Sequence, residues 1–580
     1  MMRDLTIPTV WAPAASRVDL VLEDGREAMT PVGEGWWRAG RLAPGTRYRF
    51  SLDGGMPLPD PRSLAQFDGP HQASVVVDPA IFEDRVEFSR DLRGAVLYEL
   101  HIGTFTPEGT LDAAAAHLEH LVRLGVAAVE LMPVADFPGV QGWGYDGVGQ
   151  YAVHHAYGGP AALARFVDEC HRLGLGVVLD VVHNHLGPEG NYLAQFGPYF
   201  TDVHHTPWGE AVNLDQAGSR QVRDFLLGAC RQWLVDFRID GLRLDAVHEL
   251  RDDSSPHYLA ELSQAVRGWE QETGRRFTLF AESDENQPSM VSPVGSVPGA
   301  KGMDGQWADD VHHALHAFFT RESSGYYVDF GSATVLEHAL TRVFVHEGGW
   351  STFRERDWGA PVDPDSPLYD GHSFVACLQN HDQVGNRAVG DRTSHLVGVR
   401  DGMGLDLQAA AASLYLLSAF TPLIFMGEEW AASTPFPFFS DLGPELGPLV
   451  TDGRRREFER MGWEVAVPDP QASATRESAV LRWDEVDREP HARMLAWYRA
   501  LLTLRHEHPE LHDGSLRSVT VEVVDEDAVL MRRGRFTVAA SRCEGEVQFP
   551  LGAEPLLVWG RFTRQGENSI LSGPGAVVWG

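Results

Sequence analysis

Cysteine is scarce in this chain: four in 580 residues, at Cys170, Cys230, Cys377 and Cys543. None forms a CxxC pair, so neither a disulfide framework nor a zinc site is expected. Reduced, mostly buried thiols in a cytoplasmic protein are the natural reading. Positive charge is short as well. The 48 Lys+Arg residues stand against 82 Asp+Glu, a formal charge of −34. Such a field repels nucleic acid and anionic lipid, so neither is expected as a partner. The opening MMRDLTIPTVWAPAA lacks a basic stretch followed by an apolar run, so no signal peptide is read there. No GxGxxG and no P-loop opens a helix, which argues against a nucleotide-binding open sheet. One segment, 407–426, is long enough to mimic a membrane span. Pro422 cuts it, and Gln408, Ser413, Ser418 and Thr421 interrupt it. A buried helix followed by a buried strand explains it better than a bilayer.

What is present is an ordinary globular balance of 43% apolar and 22% charged residues. A chain this long buries most of its surface without staples. Residues 1–90 alternate apolar and polar positions between Gly and Pro turns, the pattern of a small β-sandwich. Trp11, Trp36, Trp37 and Tyr48 serve either as its core or as a flat face for a sugar ring. From residue 91 the pattern changes. Apolar strand-like runs at 95–105, 126–134, 175–185, 237–247, 277–284, 372–382 and 422–429 alternate with helical periods such as 111–125, 161–174 and 219–236. A further strand is expected near 302–310. Strands apolar along their whole length and separated by helices imply a parallel sheet covered on both faces. The fold class is therefore α/β, a (β/α)₈ TIM barrel over 91–512 with an insertion at 186–218 after strand three. Residues 490–512 read as its last helix, and 513–580 as a closing all-β domain.

Polar residues gather where the barrel strands end. Strand three ends in Asp180, His183, Asn184 and His185; strand four in Arg243, Asp245 and His248; strand five in Glu282 and Asp284; strand seven in Gln379, Asn380, His381 and Asp382. In a βα barrel these ends converge on one face. Burying so many ionisable groups costs several kcal/mol per ion unless they are paired, so stability alone would not place them there. Asp245, Glu282 and Asp382 would then share a pocket with Arg243, His185 and His381. Acetal cleavage suits them: one carboxylate attacks, and a second, kept protonated, gives its proton to the leaving oxygen. Arg243 and Asp245 point the same way on one strand, which keeps Asp245 ionised. Other readings stay open. Asp180 could cap a turn, a lone His185 or His381 could be a core histidine, and His183, His185 and Asp245 could ligate a divalent ion. No HxxxH-type helix accompanies that trio, and no metal or cofactor is expected.

The stretches DVVHNH (180–185), GLRLDAVH (241–248), FAESD (280–284) and QNHD (379–382) resemble, in order and placement, the four conserved regions of the α-amylase family of glycoside hydrolases. The resemblance implies Asp245 as nucleophile, Glu282 as general acid/base and Asp382 as transition-state stabiliser. Arg243, His185 and His381 would bind the −1 sugar, and Asp180 and His248 are further substrate-binding candidates. Tyr145 and Asp146, in GWGYDGVGQY, resemble the family's stretch after strand two, where a ring stacks under that sugar. Retention of configuration follows, with carboxyl groups roughly 5–5.5 Å apart. The sandwich ahead of the barrel, with WGYDG, looks like the subgroup of branching, debranching and trehalose-releasing enzymes. YELHIGTFTPEGT (98–110), QNHDQVGNRAVGDR (379–392), MGEEWAASTPFPFFSD (426–441) and GRRREFERMGW (453–463) look most like its trehalose-releasing members. That implies hydrolysis of an α-glucan oligosaccharide capped by trehalose (maltooligosyltrehalose); separately, a monomer is expected. A branching enzyme, and an inactive glucan-binding barrel, are the alternatives. Loops 382–392 and 428–439 and Trp208 are candidates for reading the bent trehalose end, with Gln383, Asn386, Arg387 and Glu428 offering hydrogen bonds. Phe436, Phe438 and Phe439 would either stack on sugar or pack.

Overall fold

The computed structural model describes residues 4–83, 85–397, 399, 402–460 and 466–580. Residues 1–3 of the opening segment and 461–463 of the fourth trehalose-type stretch lie outside them. Eight parallel strands close into a barrel: β1 (Leu97–Leu100), β2 (Ala128–Leu131), β3 (Gly176–Val181), β4 (Gly241–Leu244), β5 (Thr278–Ala281), β6 (Gly305–Trp307), β7 (Phe374–Cys377) and β8 (Thr421–Phe425). Each pairs with its neighbour in sequence, and β8 pairs back on β1. Every residue of these strands is buried, as expected of a sheet with helices outside and side chains inside.

Leu97, Ala128, Val178, Phe280, Trp307, Val375, Cys377 and Leu423 pack together as one apolar cluster, the floor of the barrel. Side chains alternate along a strand, so the inward position two residues further on falls at the mouth. Those positions are Glu99, Glu130, Asp180, Glu282, Asp309 and Gln379, with Phe425 on β8. Arg243 joins the same layer, opposite Asp180 in register. The layer beneath is greasy and the layer above is mostly ionisable, and that switch defines the site.

The structure refines several expected elements. The helical period at 111–125 divides into Leu111–Ala115 and Leu118–Leu124. The break at Ala116 and His117 lets His117 stack on Trp483 (centroids 3.9 Å apart) and His120 reach Glu429 at 2.9 Å. The apolar run at 407–426 is a helix, Met403–Leu416, followed by β8. Among the described residues no helix is long and apolar enough to cross a membrane. The insertion after β3 holds a hairpin, Phe200–Thr206 and Gly209–Val212.

Ahead of the barrel lie a three-stranded and a four-stranded antiparallel sheet. Trp11 and Tyr48 are buried, and Trp36 and Trp37 are half-buried. Trp11 meets Tyr199 of the insertion edge-on at 5.6 Å, and Phe50 meets Phe196 at 6.5 Å. These aromatics therefore pack the sandwich and fasten it to the insertion. Beyond the barrel, a six-stranded antiparallel sheet from Val519 to Trp579 packs its last strand on helix Met403–Leu416.

Candidate active site

Arg243 is the centre of the mouth and is fully buried. Its Nη1 donates to Asp180 Oδ2 at 2.7 Å and to Asp245 Oδ1 at 2.9 Å, and its Nη2 lies 2.8 Å from Glu282 Oε2. Trp307 of β6 supports the guanidinium from below, 4.4 Å from ring centroid to Cζ. One cation thus pins three carboxylates carried by three adjacent strands. Burial alone would lower the proton affinity of Arg243, but the carboxylates outweigh it and push that affinity above the ordinary arginine range.

The carboxylates respond differently. Burial pushes Asp245 up, but Arg243, His185 and the Asn184 amide (Nδ2 to Oδ2, 2.8 Å) more than offset it, holding this carboxyl below its usual range. Glu282 goes the other way. Burial raises it well above the ordinary glutamate range against the pull of Arg243, and the negative charges of Asp245 and Asp382 add to the rise. The backbone N–H of Ala246, a residue with φ of 37°, donates to Glu282 Oε2 at 2.7 Å. An ionised carboxylate therefore sits beside one that keeps its proton, the division of labour of a nucleophile and a general acid.

Around this pair the strands supply a rigid wall. Tyr145 donates its hydroxyl to Asp180 Oδ2 at 2.6 Å and lies flat against His381, centroids 4.9 Å apart. Burial brings Asp180 up to about 6 despite Arg243. His381 is anchored on Glu99 of β1, with Nδ1 2.5 Å from Oε1 and its backbone N–H donating to Oε2 at 2.9 Å. Burial lowers the His381 proton affinity, and Glu99 more than restores it, so the ring titrates above the usual histidine range. His185 donates Nε2 to the carbonyl of Tyr145 at 3.1 Å, and Trp208 lies parallel to it at 4.2 Å, 53% exposed. Asp146, His185, Phe200 and Trp208 line an open cavity of about 370 Å³.

Asp382 lies in the first turn of the short helix His381–Gly385 after β7. Asn386 Nδ2 donates to its Oδ1 at 2.5 Å, and Arg454 Nη1 donates to Asn386 Oδ1 at 3.0 Å. Gly385 is required there, because a Cβ would lie 2.0 Å from the Trp143 ring. Gln383 is buried, with its backbone N–H on Asn380 Oδ1. His248 lies at the rim, its Nδ1 3.8 Å from Asp284 Oδ1.

Two expected sugar-binding residues are placed elsewhere. Arg387 is 6% exposed and is tied to Glu322 at 2.8 Å and Asp391 at 2.8 Å, so its guanidinium braces the loop after β7. Glu428 is fully buried behind β8, accepting from Tyr415 at 2.6 Å and Tyr498 at 2.8 Å. Its position just past a strand end suggested the mouth, but the chain turns outward at Gly427 (φ 81°). Phe436 and Phe439 are also fully buried, Phe436 stacking on Trp143. The metal trio is not assembled either among the described residues: His183 turns to Tyr258 (Nδ1 to hydroxyl, 3.2 Å), and Asp245 is bonded by the Asn184 amide instead. Four residues escaped the sequence reading: Glu99, Asp309, Arg354 and Arg454. Glu99 and Asp309 were legible as inward positions, two residues after Leu97 and Trp307. Arg354, which pairs with Asp284 at 2.9 Å, comes from a hairpin with no periodic signal, and Arg454 lies in the quoted stretch 453–463 without having been singled out there.

A closed parallel barrel with a buried acid pair and a third carboxylate at its mouth defines a glycoside hydrolase of the α-amylase type. The model of the alpha-amylase catalytic domain matches residues 65–202. The chain is 48% identical to a malto-oligosyltrehalose trehalohydrolase of Arthrobacter ramosus over 98% of both chains. It is 47% identical to one from a Rhizobium species over 91% of this chain and 89% of the other. Among solved structures, a putative alpha amylase from Salmonella typhimurium superposes with a TM-score of 0.88 at 36% identity, covering 99% of this chain and 97% of that one. A 1,4-alpha-glucan branching enzyme of Bacillus cereus is 30% identical over 52% of each chain. The chain belongs to the malto-oligosyltrehalose trehalohydrolase family.

Proposed function

We propose that the protein hydrolyses the α-1,4 bond next to the terminal trehalose of maltooligosyltrehalose, releasing trehalose with retention at the attacked carbon. The observation that carries this is the single Arg243 guanidinium shared by Asp180, Asp245 and Glu282, beside relatives of that activity matched along almost the whole chain. Asp245, kept ionised, attacks the anomeric carbon. Glu282, kept protonated, gives its proton to the departing trehalose oxygen, and the bond to that oxygen breaks. Water then enters, Glu282 takes its proton, and the sugar–Asp245 ester is hydrolysed. Asp382 and His381 hold the hydroxyls of the reacting ring, and Tyr145 lies beneath it. Two carboxyls crowded on one guanidinium fit the short separation of a retaining pair.

The route needs no metal ion and one chain carries all of its groups, which supports a monomer. Residues 1–90 and 513–580 would be accessory β-domains to a catalytic 91–512. Four unpaired cysteines suit the reducing cytoplasm. The test is product analysis on maltooligosyltrehalose beside a plain maltooligosaccharide. Free trehalose from the capped chain supports the reading. Loss of iodine staining on amylose without sugar release marks the branching alternative instead.

A further inference from the structure

The cleft has two unlike walls. One carries Tyr145, Asp180, His185 and Trp208. The other is built from the ends of β5 and β6, the helix Asp309–Thr320 and the hairpin Gly349–Ser351/Arg356–Trp358. Glu282 belongs to this second wall, and a general acid must touch the leaving oxygen, so this wall faces the departing sugar.

Nine of the twelve residues of helix Asp309–Thr320 are buried. Asp309 and His313, one turn apart, are partly open, and residues four apart share a helix face. Asp309 continues the inward alternation of β6 beyond Trp307 and feels Asp382, Asp284 and Arg243 as its charged neighbours. His313 packs against Tyr326 (4.9 Å between centroids) and Phe330 (5.0 Å), and Tyr326 meets the exposed Phe353 at 6.1 Å. Arg354 borders the same corner through Asp284. Among the described residues neither the Asp309 carboxyl nor the His313 ring hydrogen-bonds another protein group. Two polar side chains inside an aromatic-edged corner, with capacity to spare, are poised for hydroxyls.

We infer that Asp309 and His313 are specificity-determining residues that hydrogen-bond the hydroxyls of the leaving disaccharide, Tyr326 and Phe353 supplying its apolar bed. This rests on the proposed trehalose-releasing activity. Asp309 is pushed up to about 7 by burial and by Asp382, and burial takes His313 down to about 3. The imidazole is thus neutral, and the carboxyl can both accept and donate near neutral pH.

The test measures trehalose as a competitive inhibitor, and kcat/KM on a trehalose-capped chain, for wild type, Asp309→Asn and His313→Ala. Each variant should raise the trehalose inhibition constant about tenfold and lower kcat/KM by a similar factor, the usual weight of one hydrogen bond to a sugar. His313→Ala keeps the test open should Asp309→Asn not fold. Unchanged trehalose inhibition in both variants overturns the inference. So does a shifted pH profile with unchanged inhibition, which would make Asp309 a group acting through Glu282. If wild type releases trehalose and the variants match it, only this inference fails. If wild type releases none, the functional reading itself falls.

Discussion

Two arginines, Arg243 at the barrel mouth and Arg505 at the seam with the C-terminal sheet, are equally and completely buried. Their surroundings are opposite. Arg505 donates only to backbone carbonyls: Leu416 at 3.0 Å and Ser418 at 2.8 Å from Nη1, Phe420 at 2.8 Å from Nη2. Burial brings it down to about 9 with no carboxylate to compensate. Arg243 is surrounded by carboxylates and is pushed the other way. Carbonyl dipoles at Arg505 tie off the end of helix Met403–Leu416 and the start of β8, so that cation serves the fold. Carboxylates at Arg243 set the protonation of two reacting groups, so that cation serves chemistry at a cost in desolvation. Burial of a charge does not reveal its purpose; the identity of its partners does.

The largest effects should come from the groups Arg243 controls. Asp245→Asn and Glu282→Gln are each expected to lower turnover about 10⁴-fold or more while substrate still binds. Steady-state rates with binding calorimetry check this, and activity within tenfold of wild type in either variant would remove the role assignment. Arg243→Lys should follow, with turnover about 10²–10³-fold lower, because a lysine ammonium cannot present two nitrogens to Asp245 and Glu282 together. Its thermal midpoint should fall less than that of an Arg505 variant. If Arg505→Met harmed turnover per folded molecule more than Arg243→Lys did, the contrast would be broken.

Arg505→Met is expected to do the reverse. It strips donors from at least three buried carbonyls, at about 1 kcal/mol or more each, so stability should drop by roughly 3 kcal/mol. Urea midpoints report the loss, and rates normalised to folded enzyme should stay within about twofold.

Much of this contrast was legible before any coordinates, but unevenly. Strands three, four, five and seven could be read because each is a short apolar run ending abruptly in Asp180, Arg243, Glu282 or Asn380. Alternation then says which residues face inward. Glu428 follows a strand end yet lies behind the barrel, because one left-handed glycine after β8, Gly427, redirects the chain, and periodicity does not register a turn. Arg387 looked like a sugar ligand by type, but its partner Glu322 is 65 residues away, and pairing across that separation leaves no local signal. Arg505 sits in a helix of ordinary composition and gives no sequence sign of its five carbonyl contacts.

The smallest effect sharpens the comparison through pH. At the mouth, Glu99 raises the proton affinity of His381 in the folded state above its unfolded value. A group raised on folding contributes stability that is fully present below its unfolded pKa, about 6.5, and that fades as pH climbs through the folded value. Glu99→Gln removes the partner charge, so its penalty relative to wild type should be larger at pH 5.5 than at pH 9, as read from urea midpoints at both. At the seam, Arg505 has backbone carbonyls as its acceptors and stays charged below about 9, so the penalty of Arg505→Met should be the same at pH 5.5 and pH 7.5. A flat Glu99→Gln penalty would mean that the His381 ring does not change its charge between pH 5.5 and pH 9, and the contrast in pH response between mouth and seam would be lost.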